Sequence, residues 1–204
     1  MSKGALTRER IIGRAMQIAS TDGLNGLTIG RLAEKLEMSK SGLFAHFRSK
    51  EELQLQVLDA AVSRFRTAVV EPALAAPGGE PRLRTLFDAW LRWSDDTEER
   101  PGGCLFVQAA VELDDHEGGA RDALVESQRL LLDMLAALAR GAVKRGHFRA
   151  GVDAELFAFQ MEGIILAWHR ARRLMRDPAA TPRARAAFEA LLAASRPAFP
   201  QPGA

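Results

Sequence analysis

The sequence predicts an all-α protein of about nine helices. Three observations carry that prediction. Apolar residues recur at i, i+3, i+4 and i+7 in one segment after another, the spacing of a single helix face. Segments open on Thr, Ser or Asp and close at Gly or Pro, the residues that start and stop helices. No stretch gives a convincing two-residue alternation of the kind a half-buried strand needs.

Met1–Gly4 is expected to be a mobile arm. Thr7–Ser20 is the first helix, with Ile12, Ala15, Met16 and Ala19 on one face and Arg8, Arg10 and Arg14 on the other. The arginines read first as a solvated face, with one or two of them close to phosphate as the functional alternative. Asp22-Gly23 and Asn25-Gly26 mark a turn. Thr28 has N-cap chemistry, and Ile29, Leu32, Ala33 and Leu36 form the apolar face behind it. Glu37 and Met38 make a short turn. Ser39 is the next N-cap, and Leu43, Phe44 and Phe47 give its helix a buried side. Ser49 followed by Glu52 is a capping box. It opens a longer helix, Lys50 to about Val70, striped by Leu58, Ala61, Val62, Phe65 and Val69 and ended by Pro72, Pro77 and Pro81.

Leu83, Leu86, Phe87, Trp90 and Leu91 define the next helix, which stops at Arg100-Pro101-Gly102-Gly103. Cys104–Leu113 is short and apolar, and Asp114–Gly119 is a polar loop. Arg121–Arg145 is long, with Leu124, Leu131, Leu135, Leu138 and Ala142 inward and Gly146 as its stop. Ala154–Met175 is capped by Asp153 and ended by Asp177-Pro178. Pro182–Ser195 is the last helix, before a proline-rich, frayed Arg196–Ala204.

Two helices joined by a three- or four-residue turn make a helix-turn-helix unit. In that unit the second helix enters the major groove of DNA and reads base edges with its N-terminal residues. Here the second helix is Ser39–Phe47, and its tip is Ser39, Lys40, Ser41 and Gly42, all polar and small or flexible. Lys40 is the best base-edge reader and Ser41 the second. His46, Arg48 and Lys50 follow at the groove wall, placed for phosphates. Spacing alone would also fit a plain helical hairpin with a solvated polar face.

Thr28, Ala33, Met38-Ser39, Leu43-Phe44, His46-Phe47 and Ser49-Lys50-Glu51-Glu52-Leu53 resemble the N-terminal domain of TetR/AcrR-type transcriptional regulators. The likeness covers about the first quarter of the chain. It implies a three-helix DNA-binding head (1–50) and a six-helix body (51–204) that binds an effector and dimerises. It also implies DNA contacts by Thr28, Ser39, Lys40, Ser41, Gly42, Phe44, His46 and Lys50, with Thr28, His46 and Lys50 on phosphate. Three positions depart from the family pattern. Glu37 stands where glycine is usual, at a cost of about 1 kcal/mol if that residue is left-handed. Phe44 replaces the usual Tyr and loses its hydroxyl. Gly30 replaces a side chain that contacts bases in some members.

The whole chain sets further bounds. Its 204 residues are 47% hydrophobic, enough for a sizeable core, and its net charge of +2 argues little by itself. Lys and Arg outnumber Asp and Glu nine to six over residues 1–55 and fall behind, nineteen to twenty, thereafter. The mild positive excess therefore sits with the motif. One cysteine excludes an intrachain disulfide and fits a reducing cytoplasm. No apolar run approaches the ~18 residues of a membrane span, and the N-terminus lacks a signal peptide's apolar core. A cytoplasmic protein without a membrane partner is the expectation.

Asp114, Asp115, His116 and Glu117 lie together, but neighbours in a loop rarely converge on a metal, so a solvated loop is expected. Cys104 has no adjacent base and reads as a buried small side chain. No metal, cofactor or catalytic machinery is expected, and the protein is not expected to be an enzyme.

In the body, Trp90, Trp93, Phe106, Gln108, Glu112, Phe159 and Trp168 place aromatic and polar groups on several helices. Most should be core. The resemblance implies a pocket for a small apolar or aromatic effector, lined by Trp90, Trp93, Gln108 and Trp168. It also implies that the last two long helices form a four-helix bundle with a second copy, through Phe157, Met161 and Ile164 and through Phe188, Leu191 and Leu192. The expected function is a homodimeric regulator, a repressor released by its effector from a palindromic double-stranded DNA operator. An activator would use the same DNA chemistry. The reading from another class is a helical small-molecule carrier or enzyme with a degenerate head.

Overall fold

The computed structural model describes the backbone of residues 3–198 and the side chains of residues 7–198. No strand occurs among the described residues, and the helices run in the expected order: α1 Lys3–Gly26, α2 Ile29–Leu36, α3 Lys40–Phe44, α4 Lys50–Phe65, α5 Glu71–Ala75, α6 Glu80–Asp95, α7 Leu105–Leu113, α8 Gly119–Lys144, α9 Ala154–Arg173 and α10 Ala180–Ser195. A π-helical turn, Arg66–Val70, joins α4 to α5, so Lys50–Ala75 is one helical path and the described residues hold nine helices. The all-α prediction is borne out.

Several boundaries move, each for a local reason. The expected arm is partly helix: Lys3 and Gly4 belong to α1, while Met1 and Ser2 lie outside the described residues. Gly23 takes φ 76 and ψ 169, which breaks α1 where Asp22-Gly23 predicts a turn, but helical turns resume as far as Gly26. Pro72 does not end the Lys50 helix. Its missing N–H and its ring are accommodated by the π turn just before it, and α5 then carries Pro72 in its first turn. Of the tail, Phe199–Ala204 lies outside the described residues.

The chain forms two compact units. One takes the residues up to Thr67 together with Trp93–Ser127, and the other takes Ala68–Arg92 together with the chain from Gln128 onward. The first unit holds the motif, and α1–α3 do not close its core alone. Ile11, Ala15, Leu24, Leu32, Leu43, Phe47 and Leu53 share that core with Leu105, Ala109 and Leu113 of α7 and with Leu124 of α8. Val62, expected inward, is 39% exposed, because it sits about 100° around α4 from the buried Ala61.

In the second unit, Phe87 of α6 stacks flat on Phe188 of α10 at 4.1 Å, and Phe148 packs on Phe157 of α9 at 5.3 Å. Glu80 takes hydrogen bonds from Arg196 and Arg84, whose combined effect outweighs burial and pulls its carboxyl down to about 2. Gly146 has φ 72 and closes α8 as expected, with His147 N donating to Ala142 O at 3.0 Å. No described helix is long and apolar enough to cross a membrane.

Candidate nucleic-acid interface

The three caps predicted around the motif are all present. Thr28 Oγ1 accepts from Arg31 N at 3.2 Å, Ser39 Oγ from Gly42 N at 3.0 Å, and Ser49 Oγ from Glu52 N at 3.0 Å. The reciprocal half of the capping box is displaced by one residue: Glu52 Oε2 accepts from Arg48 N at 2.9 Å. Each cap fixes where a helix begins, and so which side chains stand at its exposed end.

Glu37 lies in the left-handed region, φ 53 and ψ 39. It donates its N–H to Glu34 O at 3.2 Å while Met38 donates to Ala33 O at 3.0 Å, the two-bond closure that glycine usually makes. The turn therefore keeps its shape and carries the strain of a side chain.

The second motif helix is shorter than expected. It runs Lys40–Phe44, and the chain then turns, with His46 N and Phe47 N both donating to Leu43 O at 2.9 and 3.0 Å. That turn drives Phe47 fully into the core. Phe44 is a correction: it is 53% exposed, not buried, because it lies one residue around the helix from the buried Leu43. The exposed tip thus consists of Ser39, Lys40 and Ser41 with the Phe44 ring beside them, Gly42 and His46 being half-buried. Ser39 and Ser41 share a hydroxyl hydrogen bond at 3.1 Å.

Lys40 crosses over Gly30. A Cβ at position 30 would lie 3.5 Å from Lys40 Cε and 3.8 Å from its Nζ, ordinary contact distances, so the lysine stem lies along the bare backbone of α2. Lys50 is already engaged, donating from Nζ to Asn25 O at 2.8 Å. Its ammonium has three donors, so two remain for other acceptors. Among the α1 arginines, Arg8 donates to Gln56 at 2.7 Å and lies 5.7 Å over the Phe47 ring, while Arg14 donates to Gln17 at 2.8 Å.

Sequence reasoning missed the corner between α1 and α2. The N–H groups of Leu24 and Asn25 donate to the two oxygens of Glu112 on α7 at 2.6 and 2.7 Å. Gln54, buried on α4, donates to Leu24 O at 2.8 Å. Arg31 closes the corner with Asp22 at 2.7 Å. Nothing in the spacing of the sequence connects Glu112 to position 24.

The four residues expected to line a pocket divide between the units. Trp93 and Gln108 belong to the first, Trp90 and Trp168 to the second. Trp93 meets Phe65 edge to face at 5.6 Å and has the Arg100 guanidinium 3.7 Å over its ring. Its indole N–H is buried without a hydrogen bond of good geometry. Gln108 reaches Gly102 O at 3.4 Å, Trp90 is buried, and Trp168 donates to Thr181 Oγ1 at 3.0 Å. Phe159, expected among the core aromatics, is 68% exposed, on the side of α9 away from its buried stripe.

Phe157, Met161, Phe188 and Leu192, expected at the dimer interface, are buried against their own chain and support α9 and α10 from beneath. Ile164 and Leu191 line an open groove of about 730 Å³ between α9 and α10, floored by Gly163, Ala167, Ala171 and Ala187. Beside it on α9, Leu156, Phe159 and Leu166 face outward.

Cys104 is buried, and burial pushes its thiol above the ordinary value, away from the reactive thiolate. No group of three His, Cys, Asp or Glu side chains suited to a metal occurs among the described residues.

Comparison with known proteins agrees with this surface. Residues 11–57 match the family described as bacterial regulatory proteins, tetR family, and residues 79–188 match the tetracyclin repressor-like C-terminal domain. The transcriptional regulator TcmR of Streptomyces glaucescens is 24% identical, the match covering 78% of this chain and 81% of TcmR. A TetR regulator from Chloroflexus aurantiacus superposes with a TM-score of 0.82 at 24% identity, over 95% of this chain and 96% of that one. One from Cytophaga hutchinsonii gives 0.83 at 19% identity, over 98% and 99%. With a complete helix-turn-helix at one end and a matched C-terminal domain over more than half its length, the chain belongs to the TetR family of DNA-binding transcriptional regulators.

Proposed function

We propose that the protein is a homodimeric repressor, acting in the cytoplasm, that binds a palindromic operator and is released by a small apolar or aromatic effector. The observation that carries the DNA half of this reading is the exposed tip Ser39-Lys40-Ser41, capped and close to bare Gly30. Lys40 reads a base edge and Ser41 a second. Thr28, His46 and Lys50 hold phosphates, and the exposed Phe44 ring lies against the sugar-phosphate wall. In functional terms residues 1–50 carry the DNA contacts and 51–204 carry dimerisation and effector binding.

Dimerisation is assigned to the outward face of α9 and α10, through Ile164 and Leu191 with Leu156, Phe159 and Leu166. That face is apolar and open, and a two-fold pair of heads doubles the DNA contacts that one head can make. For the effector, Trp93 offers one polar anchor, its buried indole N–H beside the Cys104 thiol, while Arg100 and Phe65 pack on its ring. To weaken operator binding a hundredfold, the effector must favour the non-binding state by about 2.7 kcal/mol.

Selection of bound fragments from genomic DNA by the purified chain tests the reading. The expected result is a palindrome with half-site centres one helical turn, or a multiple of it, apart. Recovery of fragments without a shared sequence would reject it.

A further inference from the structure

We propose that Glu112 is a positioning residue for DNA reading: through its carboxylate, α7 holds the α1–α2 corner and so sets the angle at which α2 and α3 are presented. The inference rests on the DNA-binding reading above and concerns how that surface is aimed.

The break at Gly23 takes the next two amides out of the α1 ladder, so Leu24 N and Asn25 N need acceptors from elsewhere. One carboxylate supplies both, at 2.6 and 2.7 Å, and charge makes such bonds stronger than neutral ones. The carbonyls of the same two residues are taken from α4, by Gln54 and Lys50, each at 2.8 Å. Two consecutive residues are therefore held from opposite sides, three residues before the N-cap of α2.

The fit leaves no slack. A Cβ at position 23 would lie 2.7 Å from both Glu112 oxygens, so the carboxylate can sit there only because residue 23 is glycine. Just ahead of α7, Gly102 N donates to Ser20 Oγ at 3.1 Å, and a Cβ at Gly102 would fall 1.5 Å from Ser20 O. Thus α7 and its lead-in loop both seat on the last turns of α1. A displacement of α7 must either pull the corner with it or break both hydrogen bonds from the amides.

Glutamate is specifically suited to this task. It has two acceptor oxygens for two donors, whereas glutamine has one and would set its own N–H₂ against a backbone N–H. Glu112→Gln therefore opens one side of the clamp at nearly constant shape.

The test uses the full chain, wild type and E112Q, with a duplex recovered by selection and a random duplex of equal length. The exposed neighbour variant V111A controls for changes to α7 as such. E112Q is expected to lose about tenfold in affinity for the selected duplex, equivalent to about 1.4 kcal/mol. Its affinity for the random duplex should not change, because the phosphate-binding surface is intact. Hydrogen exchange at the Leu24 and Asn25 amides should accelerate, and V111A should behave as wild type. Unchanged binding of the selected duplex by E112Q, or a parallel fall for both duplexes, would overturn the proposal. If the wild type selects no sequence, the DNA reading fails instead. The exchange measurement then decides the clamp alone, and full protection of both amides in E112Q rejects it.

Discussion

Two turns flank α2, and they are built on opposite principles. The α2–α3 turn is self-contained: Glu37, Met38 and Ser39 close it with bonds to residues no more than five positions away. The α1–α2 corner is held from a distance, by Lys50 and Gln54 some thirty positions or fewer along the chain and by Glu112 nearly ninety positions on. The first turn gives the recognition tip its shape whatever the rest of the chain does. The second ties the tip's orientation to α4 and α7. A regulator needs both, a reading surface of fixed form and a mounting that other elements can move.

The largest effect should come from breaking the distant seating. Gly102→Ala puts a methyl group into the Ser20 backbone and should cost about 3 kcal/mol or more, lowering the midpoint of thermal unfolding by roughly 6–12 °C. A midpoint within a degree of wild type would mean that α7 does not rest on α1 as described.

Next comes Lys50→Ala, which touches both themes, because Nζ holds Asn25 O and is the phosphate contact proposed above. Binding of a random duplex should weaken by about tenfold, with the salt slope of a dimer flattened by about 2, and binding of a selected duplex should weaken further because the corner loosens as well. A change confined to one sequence would contradict the phosphate role.

Smaller effects are expected at the self-contained turn. Ser39→Ala removes the acceptor for Gly42 N and should cost about 1 kcal/mol in chemical denaturation. Glu37→Gly should do the reverse, stabilising by up to about 1 kcal/mol, since glycine adopts the observed left-handed backbone without strain. Destabilisation by Glu37→Gly would show that the glutamate side chain compensates for its backbone.

The same contrast explains what was legible in the sequence. Thr28, Ser39 and Ser49 act within three residues of themselves, so their residue types and spacing sufficed, and the order of the helices followed from equally local periodicity. Phe44 and Val62 face solvent because each lies next to a buried residue on its helix, where one position of rotation separates core from solvent. Phe157, Met161, Phe188 and Leu192 turn out to be buried within their own chain, and periodicity cannot say whether an apolar stripe meets its own chain or another. Glu112 was invisible in its role, since a carboxylate that serves backbone amides nearly ninety positions away leaves no local pattern.

Lys40 offers the most direct test of the account. A gel-shift titration of Lys40→Ala against a selected operator, and against versions altered one base pair at a time, should show preference relaxed at one position per half-site, by about 1–3 kcal/mol, with the other positions still discriminated. Affinity and preference both equal to wild type would contradict the placement of α3 in the groove.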